Sequence, residues 1–228
     1  MEALILADGD GPTRAELDRV WPGWDASIGL VVAADGGARL AVPLGVTIDR
    51  WVGDGDSLGP EALAALAAAG VPLERARPDK DESDTELAVA AALRLGAEGV
   101  VIVGGLGGRR IDHALANIGL LAMPELGDRS AVILDGRSRL SLIRAPGRDG
   151  GAVTRHLPGR ADDIVSLLPI GRGVEGVTTH GLAYALADEP LPPGGARGLS
   201  NVRGPGDASV VVRRGLLLVV ESPATLWP

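Results

Sequence analysis

The first half of the chain alternates short apolar runs with segments of helical periodicity. Five apolar runs predict β-strands, over residues 3–6, 30–33, 51–53, 100–103 and 131–134. Helices are predicted between them, over 60–69, 84–95 and 110–122. Alternating strands and helices form strand–helix–strand units, and such units build a parallel sheet. The pattern therefore predicts an α/β domain with a mostly parallel sheet over residues 1–135.

The pattern changes after about Asp135, where short apolar runs are broken by Gly and Pro. These runs predict strands over 140–144, 164–168, 174–178, 209–212 and 216–220. Short strands separated by turn residues are typical of an antiparallel sandwich. We therefore predict a second domain over 136–228, an all-β antiparallel sandwich.

The predicted helix over 110–122 carries two different faces. One face is apolar and is expected to be a single buried stripe, made of Ile111, Ala114, Leu115, Ile118 and Leu121. The other face is polar and is expected to line a cleft, with Arg109, Asp112, His113 and Asn117.

Composition narrows the possible partners. The 228 residues carry a net charge of -8, whereas nucleic-acid binding relies on clustered Lys and Arg, so no nucleic-acid partner is expected. The longest apolar runs are too short to cross a bilayer and no basic leader precedes the first of them, so no membrane partner is expected. The chain has no Cys, which excludes disulfides and thiolate zinc sites and suits the cytoplasm.

Acidic residues follow the predicted strands of the first domain. Asp35 follows one strand, Asp54 and Asp56 follow the next, and Asp81 and Asp84 precede a helix. The carboxyl ends of parallel strands form the ligand crevice of an open sheet, so we expect these acids to converge. A group of carboxylates without thiolates favours magnesium, which binds carboxylates together with substrate phosphates.

Local patterns add detail to this crevice. Asp54 and Asp56 are two residues apart and would share one face of an extended strand, although the same residues also suit an ordinary turn. Ser83 and Glu86 predict a capping box for the next helix, whose N-terminus, beside Lys80, suits a phosphate. The glycine loop over 104–108 leads into another helix and lets backbone N–H groups approach phosphates, with Arg109 as a planar donor.

Taken in order, these motifs resemble the thiamine pyrophosphokinase family. The first domain carries ADGGA at 34–38, GDGDS at 53–57, DKDESD at 79–84 and GGRRIDH at 107–113. The second carries IVSLLP at 164–169, GLAY at 181–184 and GLSN at 198–201. The resemblance implies a homodimer whose thiamine sites lie between one subunit's α/β domain and the other's sandwich. It also implies ATP and Mg²⁺, with the thiamine hydroxyl attacking the β-phosphorus and expelling AMP.

The resemblance further implies roles for individual residues. The expected magnesium ligands are Asp35, Asp54, Asp56 and Asp84. The expected nucleotide contacts are Asp35, Gly36, Gly107, Gly108, Arg109 and Asp112. The expected thiamine contacts are Lys80, Asp81, Ser200 and Asn201. The expected catalytic residues are Asp54, Asp56, Asp81, Asp84 and Arg109, and which carboxylate accepts the hydroxyl proton stays open.

Three positions depart from the family pattern. Gly55 stands where an aromatic is usual, Ser83 replaces Thr, and no aromatic follows the Ser200-Asn201 pair. Because a cationic thiazolium is bound well by an aromatic face, we expect that face to come from one of Trp51, Tyr184 and Trp227.

Other functions also remain open. An aspartate-nucleophile phosphatase would form a phosphoaspartate on Asp54 and release inorganic phosphate. A kinase or pyrophosphokinase for another small alcohol would accept a different hydroxyl. A binding module without turnover would bind ATP and Mg²⁺ and form no AMP.

Overall fold

The computed structural model describes residues 1–147 and 149–226, and the chain divides after Gly136 into two compact units. The first unit contains a parallel sheet and the second contains antiparallel strands. Among the described residues, no helix is both long and apolar enough to cross a membrane.

The sheet of the first unit has six parallel strands in the order β4-β3-β2-β1-β5-β6. Their bounds are β1 Glu2–Leu6, β2 Ile28–Ala34, β3 Arg50–Gly53, β4 Leu73–Arg75, β5 Gly99–Val103 and β6 Ser130–Leu134. Five of them match the predicted strands. The sixth, β4, is a three-residue edge strand that pairs with β3.

Five helices belong to this unit: α1 Arg14–Val20, α2 Ala41–Leu44, α3 Pro60–Ala68, α4 Asp84–Arg94 and α5 Ile111–Leu120. A 3₁₀ turn over Asp35–Leu40 connects β2 to α2. Ser83 caps α4, because its Oγ accepts a hydrogen bond from the N–H of Glu86 at 3.1 Å. This bond satisfies one of the unpaired donors of the first turn and fixes where α4 begins.

The predicted buried stripe of α5 is wrong at two positions. Ile111 is 74% exposed and Leu115 is 62% exposed, whereas Ala114 and Asn117 face the interior. The buried face also carries Leu120 and Leu121, which are 8% and 4% exposed. On the same face Nδ2 of Asn117 donates to the Gly105 carbonyl at 2.9 Å, which ties α5 to the loop that precedes it.

The described residues of the second unit form seven strands that pair antiparallel. Their bounds are β7 Arg139–Ala145, β8 Val153–His156, β9 Ile164–His180, β10 Glu189–Leu191, β11 Asn201–Val202, β12 Ser209–Val212 and β13 Arg214–Ser222. The main path is β7-β13-β9-β12-β8, and β10 and β11 also pair with β9.

The predicted separate strands over 164–168 and 174–178 are one long strand, β9. Gly171 and Gly173 have φ angles of +73° and +105°, which bend the backbone where a break was expected. The first half of β9 pairs with β13 and its last residues pair with β12.

Each unit has its own buried core. Leu4, Leu17 and Trp51 belong to the first core, and Val165, Val177 and Leu217 belong to the second. Trp51 is fully buried, and its indole N–H donates to the carbonyl of Asp35 at 3.0 Å. A fully buried tryptophan of the first core thus holds the backbone at the end of β2.

Candidate functional site

A pocket of about 500 Å³ opens at the carboxyl edge of the parallel sheet in the first unit. Its walls come from the loops after β1, β3 and β5 and from the segment that leads into α4. This is the crevice in which open parallel sheets bind ligands.

Three carboxylates meet beside this pocket. Asp35 follows β2, Asp54 follows β3 and Asp84 begins α4. One oxygen from each lies within 4.8 Å of the others. A set of hard oxygen donors from three segments has the chemistry that binds a divalent cation such as Mg²⁺.

Asp35 organises the loop that carries Asp54. Its side chain is 1% exposed, and its two oxygens accept the N–H groups of Ser57 at 3.0 Å and Leu58 at 3.3 Å. Burial raises the pKa of this carboxyl, and the hydrogen bonds from Ser57 and Leu58 oppose that rise. Its φ of +39° is a conformation that Asp tolerates better than most residues.

Lys80 places a cation on the same carboxylates. Its Nζ lies 3.0 Å from Asp54 Oδ2 and 2.8 Å from Asp84 Oδ1, and its side chain is 13% exposed. Burial lowers the pKa of Lys80, but the hydrogen bonds to Asp84 and Asp54 outweigh burial and leave the pKa raised. The bond from Lys80 also lowers the pKa of Asp54. The carboxylate group therefore already stabilises positive charge, as a metal site must.

Asp56 lines the pocket but stands outside the group of three carboxylates. The expectation that Asp54 and Asp56 share the face of an extended strand is wrong, because β3 ends at Gly53 and a turn follows. In this turn the N–H of Asp56 donates to Asp54 Oδ1 at 3.1 Å. Asp81 is exposed, and the pocket is lined by its neighbours Lys80 and Glu82.

The glycine loop after β5 packs against the loop after β1. A Cβ on Gly107 would lie 2.1 Å from the Asp10 carbonyl oxygen, and a Cβ on Gly104 would lie 2.4 Å from that of Ala7. These glycines are thus required for close backbone packing between two loops of the pocket. Gly108, whose φ is +100°, has its nearest neighbour 3.6 Å from a built Cβ.

Sequence reasoning missed Asp8 and Arg39. Asp8 follows β1 and lines the pocket. The rule that acids after the carboxyl ends of parallel strands line the crevice, which identified Asp35 and Asp54, also identifies Asp8. Arg39 Nη1 donates to Asp8 Oδ1 at 3.1 Å and to the Gly36 carbonyl at 3.3 Å, and Nη2 donates to the Ser57 carbonyl. Arg39 therefore connects the loops that follow three neighbouring strands. A Cβ on Gly36 would overlap Asp8 Oδ1, which explains the glycine there.

The polar residues near α5 separate into two groups. Arg109, Arg110 and His113 line the pocket, and Asn117 reaches it from its buried position. Asp112 is exposed, and its hydrogen bonds with the Arg110 guanidinium hold the pKa of this carboxyl well below its usual range. The structure therefore places Arg109 at the pocket and Asp112 in a surface ion pair.

In the second unit, Asn201 holds the backbone of Tyr184. Its Oδ1 accepts the Tyr184 N–H at 2.9 Å, and its Nδ2 donates to the Tyr184 carbonyl at 2.7 Å. Asn201 is 3% exposed, whereas the side chain of Tyr184 is 62% exposed. Ser200 is exposed in a left-handed conformation, with φ of +55°.

The three aromatic candidates have different surroundings. Trp51 is fully buried in the core of the first unit and offers no face to a ligand. Tyr184 is exposed. Trp227 lies outside the described residues. The structure therefore leaves Tyr184 as the described aromatic with a face open to a ligand.

We expect Asn201→Ala to lower the free energy of unfolding by about 2 kcal/mol, because two backbone N–H groups lose a buried acceptor. Urea denaturation followed by circular dichroism measures the change. Ser200→Gly in the same turn is the control and should be no less stable than wild type, because glycine adopts the left-handed conformation of Ser200 without steric cost. Equal stability of Asn201→Ala and wild type would refute the structural role of this amide.

The first unit is thus an α/β protein with a parallel sheet and a candidate cation site at the carboxyl edge of that sheet. Residues 24–133 match the family model described as thiamin pyrophosphokinase, catalytic domain. Residues 155–217 match the model described as thiamin pyrophosphokinase, vitamin B1 binding domain. The chain belongs to the thiamin pyrophosphokinase family, which confirms the resemblance seen in its motifs. No curated protein matches the sequence.

Solved structures have the same fold. The thiamin pyrophosphokinase from Geobacillus thermodenitrificans is 25% identical, with a TM-score of 0.79, and the match covers 98% of each chain. A thiamin pyrophosphokinase family protein from Enterococcus faecalis is 24% identical, with a TM-score of 0.78, over 98% of this chain and 99% of that one. The thiamin pyrophosphokinase from Candida albicans is 15% identical, with a TM-score of 0.76, over 97% and 90%.

Proposed function

We propose that the protein transfers the pyrophosphoryl group of ATP to the hydroxyl of thiamine, giving thiamine pyrophosphate and AMP. The observation that carries this proposal is the group of Asp35, Asp54 and Asp84 beside a pocket at the carboxyl edge of the sheet. This pocket lies within the unit that contains the match to the catalytic domain model. The match to a vitamin B1 binding domain in the second unit supports thiamine as the acceptor.

The proposed magnesium ligands are Asp35, Asp54 and Asp84, with Asp56 at the edge of the group. A bound Mg²⁺ would neutralise charge on the phosphates of ATP. Arg109 lines the pocket, so its guanidinium can stabilise the phosphate charge that builds up during transfer. We also keep Gly36, Gly107, Gly108 and Asp112 as proposed nucleotide contacts, and Lys80, Asp81, Ser200 and Asn201 as proposed thiamine contacts.

Asp56 is our proposed acceptor for the proton of the thiamine hydroxyl. It lines the pocket, whereas Asp54 and Asp84 are occupied by Lys80 and would be metal ligands. An exposed carboxylate outside the group of three can take a proton as the hydroxyl attacks. Phosphoryl transfer leaves little covalent chemistry to the protein. The remaining rate acceleration therefore comes from residues that position the alcohol against the phosphorus.

The test is to incubate the purified protein with Mg²⁺, ATP and thiamine and to measure AMP and thiamine pyrophosphate. Equal amounts of both products are expected. Inorganic phosphate without AMP, together with a phosphoaspartate on Asp54, would indicate the phosphatase alternative. AMP formed only with a different alcohol would change the acceptor, and ATP binding without AMP would indicate a binding module.

We expect Tyr184→Ala to raise the KM for thiamine about tenfold, because an exposed ring loses its cation–π contact with the thiazolium. The kcat and the KM for ATP should stay within about twofold of wild type, since removing uniform binding changes KM alone. Steady-state kinetics with varied thiamine measures the effect. Tyr184→Phe keeps the ring and should keep the KM, so an equal rise in this control would contradict a stacking role.

We further propose that the second unit is an antiparallel sandwich and that two copies of the chain form a homodimer. One core in the second unit draws residues from both halves of β9, from β12 and from β13, as two packed layers require. The exposed Ile111 and Leu115 lie one turn apart on α5 and suit a surface covered by a second copy. Sedimentation equilibrium measures the mass of the assembly.

Because ATP is the donor, we propose the cytoplasm as the compartment.

A further inference from the structure

Lys80 is the single lysine among the 22 basic residues of the chain. Its ammonium contacts Asp54 and Asp84, which are two of the three carboxylates of the candidate metal site. The side chain is 13% exposed and lines the same pocket as Arg109 and the glycine loop. Lys80 and a divalent ion would therefore share two carboxylates, those of Asp54 and Asp84.

We propose that Lys80 and the divalent ion exchange on Asp54 and Asp84, and that this exchange makes metal binding depend on the nucleotide. The inference rests on the proposed function, because it takes phosphates as the anions that enter the pocket. Lys80 Nζ lies 3.0 Å from Asp54 Oδ2 and 2.8 Å from Asp84 Oδ1, so a divalent ion on the same carboxylates would repel the ammonium and drive it from at least one of them. Phosphates in the pocket give the displaced ammonium a new partner.

The side-chain chemistry at position 80 suits such an exchange. A lysine carries a compact charge on a flexible four-carbon stem, so Nζ can move between anions without a change in the backbone. An arginine in this place would hold a carboxylate with a planar, two-point contact that is harder to release. This difference accounts for one lysine in a chain that otherwise uses arginine.

The exchange has a thermodynamic consequence. When the metal binds alone, it displaces the Lys80 ammonium from its carboxylates and leaves it without an anionic partner. When the metal binds with nucleotide, the displaced ammonium pairs with a phosphate. Nucleotide should therefore tighten metal binding, and metal should tighten nucleotide binding by the same factor. Couplings of this kind are about 5-fold to 150-fold.

The experiment measures Mn²⁺ binding by electron paramagnetic resonance, with and without α,β-methylene-ATP, which cannot undergo the transfer. Without nucleotide, Lys80→Met should bind Mn²⁺ about tenfold more tightly than wild type, and the tightening by nucleotide should shrink by a similar factor. Lys80→Arg keeps the positive charge and should keep weak binding without nucleotide. Arg94→Met removes the exposed Arg94–Glu74 pair and should bind Mn²⁺ as wild type does.

Equal or weaker Mn²⁺ binding by Lys80→Met in the absence of nucleotide would overturn the exchange. Failure of wild type to bind Mn²⁺ even with nucleotide would overturn the metal site and the exchange together. Neither measurement needs thiamine or turnover. If the Mn²⁺ difference appears but thiamine gives no product, only the proposed function is wrong.

A second measurement uses the wild-type protein, in case Lys80→Met does not fold. ¹⁵N-labelled lysine gives one side-chain ammonium resonance, because the chain has one lysine. Adding Mg²⁺ with α,β-methylene-ATP should shift this resonance strongly, as Nζ changes its anionic partners. An unchanged resonance in the presence of bound nucleotide and metal would overturn the exchange.

Discussion

Replacing Asp54 by Asn is expected to lower the turnover number about 1,000-fold, because the site loses one negative ligand where phosphate charge is stabilised. Lys80 loses one of its two partners in the same variant. The fold should persist, since Asp35 still holds the N–H groups of Ser57 and Leu58, and the amide oxygen of Asn at position 54 can still accept the Asp56 N–H. Production of AMP from ATP and thiamine measures the loss.

Asp79→Asn is the matched control for this variant. Asp79 lies one residue before Lys80 and pairs with Arg77 on the surface, where both side chains are largely exposed. The same change of charge there should leave turnover within about twofold of wild type, because exposed pairs contribute little. Similar losses in both variants would mean that overall charge, and not the carboxylate group, governs the activity.

Gly107→Ala is expected to lower the free energy of unfolding by about 3 kcal/mol, because the new methyl group would lie 2.1 Å from the Asp10 carbonyl. The loops after β1 and β5 would have to separate, and the pocket between them would change shape. Thermal and urea unfolding measure the stability, and the KM for ATP reports on the pocket.

The same substitution at Gly119 is expected to raise the free energy of unfolding rather than lower it. Gly119 lies in α5, and a Cβ there meets no atom within 4 Å. Alanine loses less conformational freedom than glycine in a helix, so stability should rise by about 0.5–1 kcal/mol. If Gly107→Ala were as stable as Gly119→Ala, the glycine loop would not be packed against its neighbour as described.

The elements that the sequence predicted well are those whose burial is continuous. β1, β2 and β5 lie inside a parallel sheet and therefore appear as apolar runs. The strands that were missed, β4, β8, β10 and β11, have two to four residues, with too few apolar positions to form a pattern. Such short strands are defined by the partner strand rather than by their own residues.

The face that α5 buries was not predictable from periodicity. Hydrophobic spacing favours Ile111 and Leu115, yet the helix buries Asn117 because its amide satisfies the Gly105 carbonyl. A buried carbonyl without a partner is costly, so a polar residue that satisfies it belongs on the buried face. Periodicity carries no information about a carbonyl twelve residues away.

The sequence by itself determined five of the six strands and three of the five helices of the first unit, together with the family and the candidate acids, because these depend on residue types and short spacings. Only the tertiary structure decided which acids meet, since Asp35, Asp54 and Asp84 come together through strand order and loop packing. It also set Lys80 on two of them and Asp112 in a surface pair. These arrangements depend on distances between segments far apart in the chain, which no local pattern records.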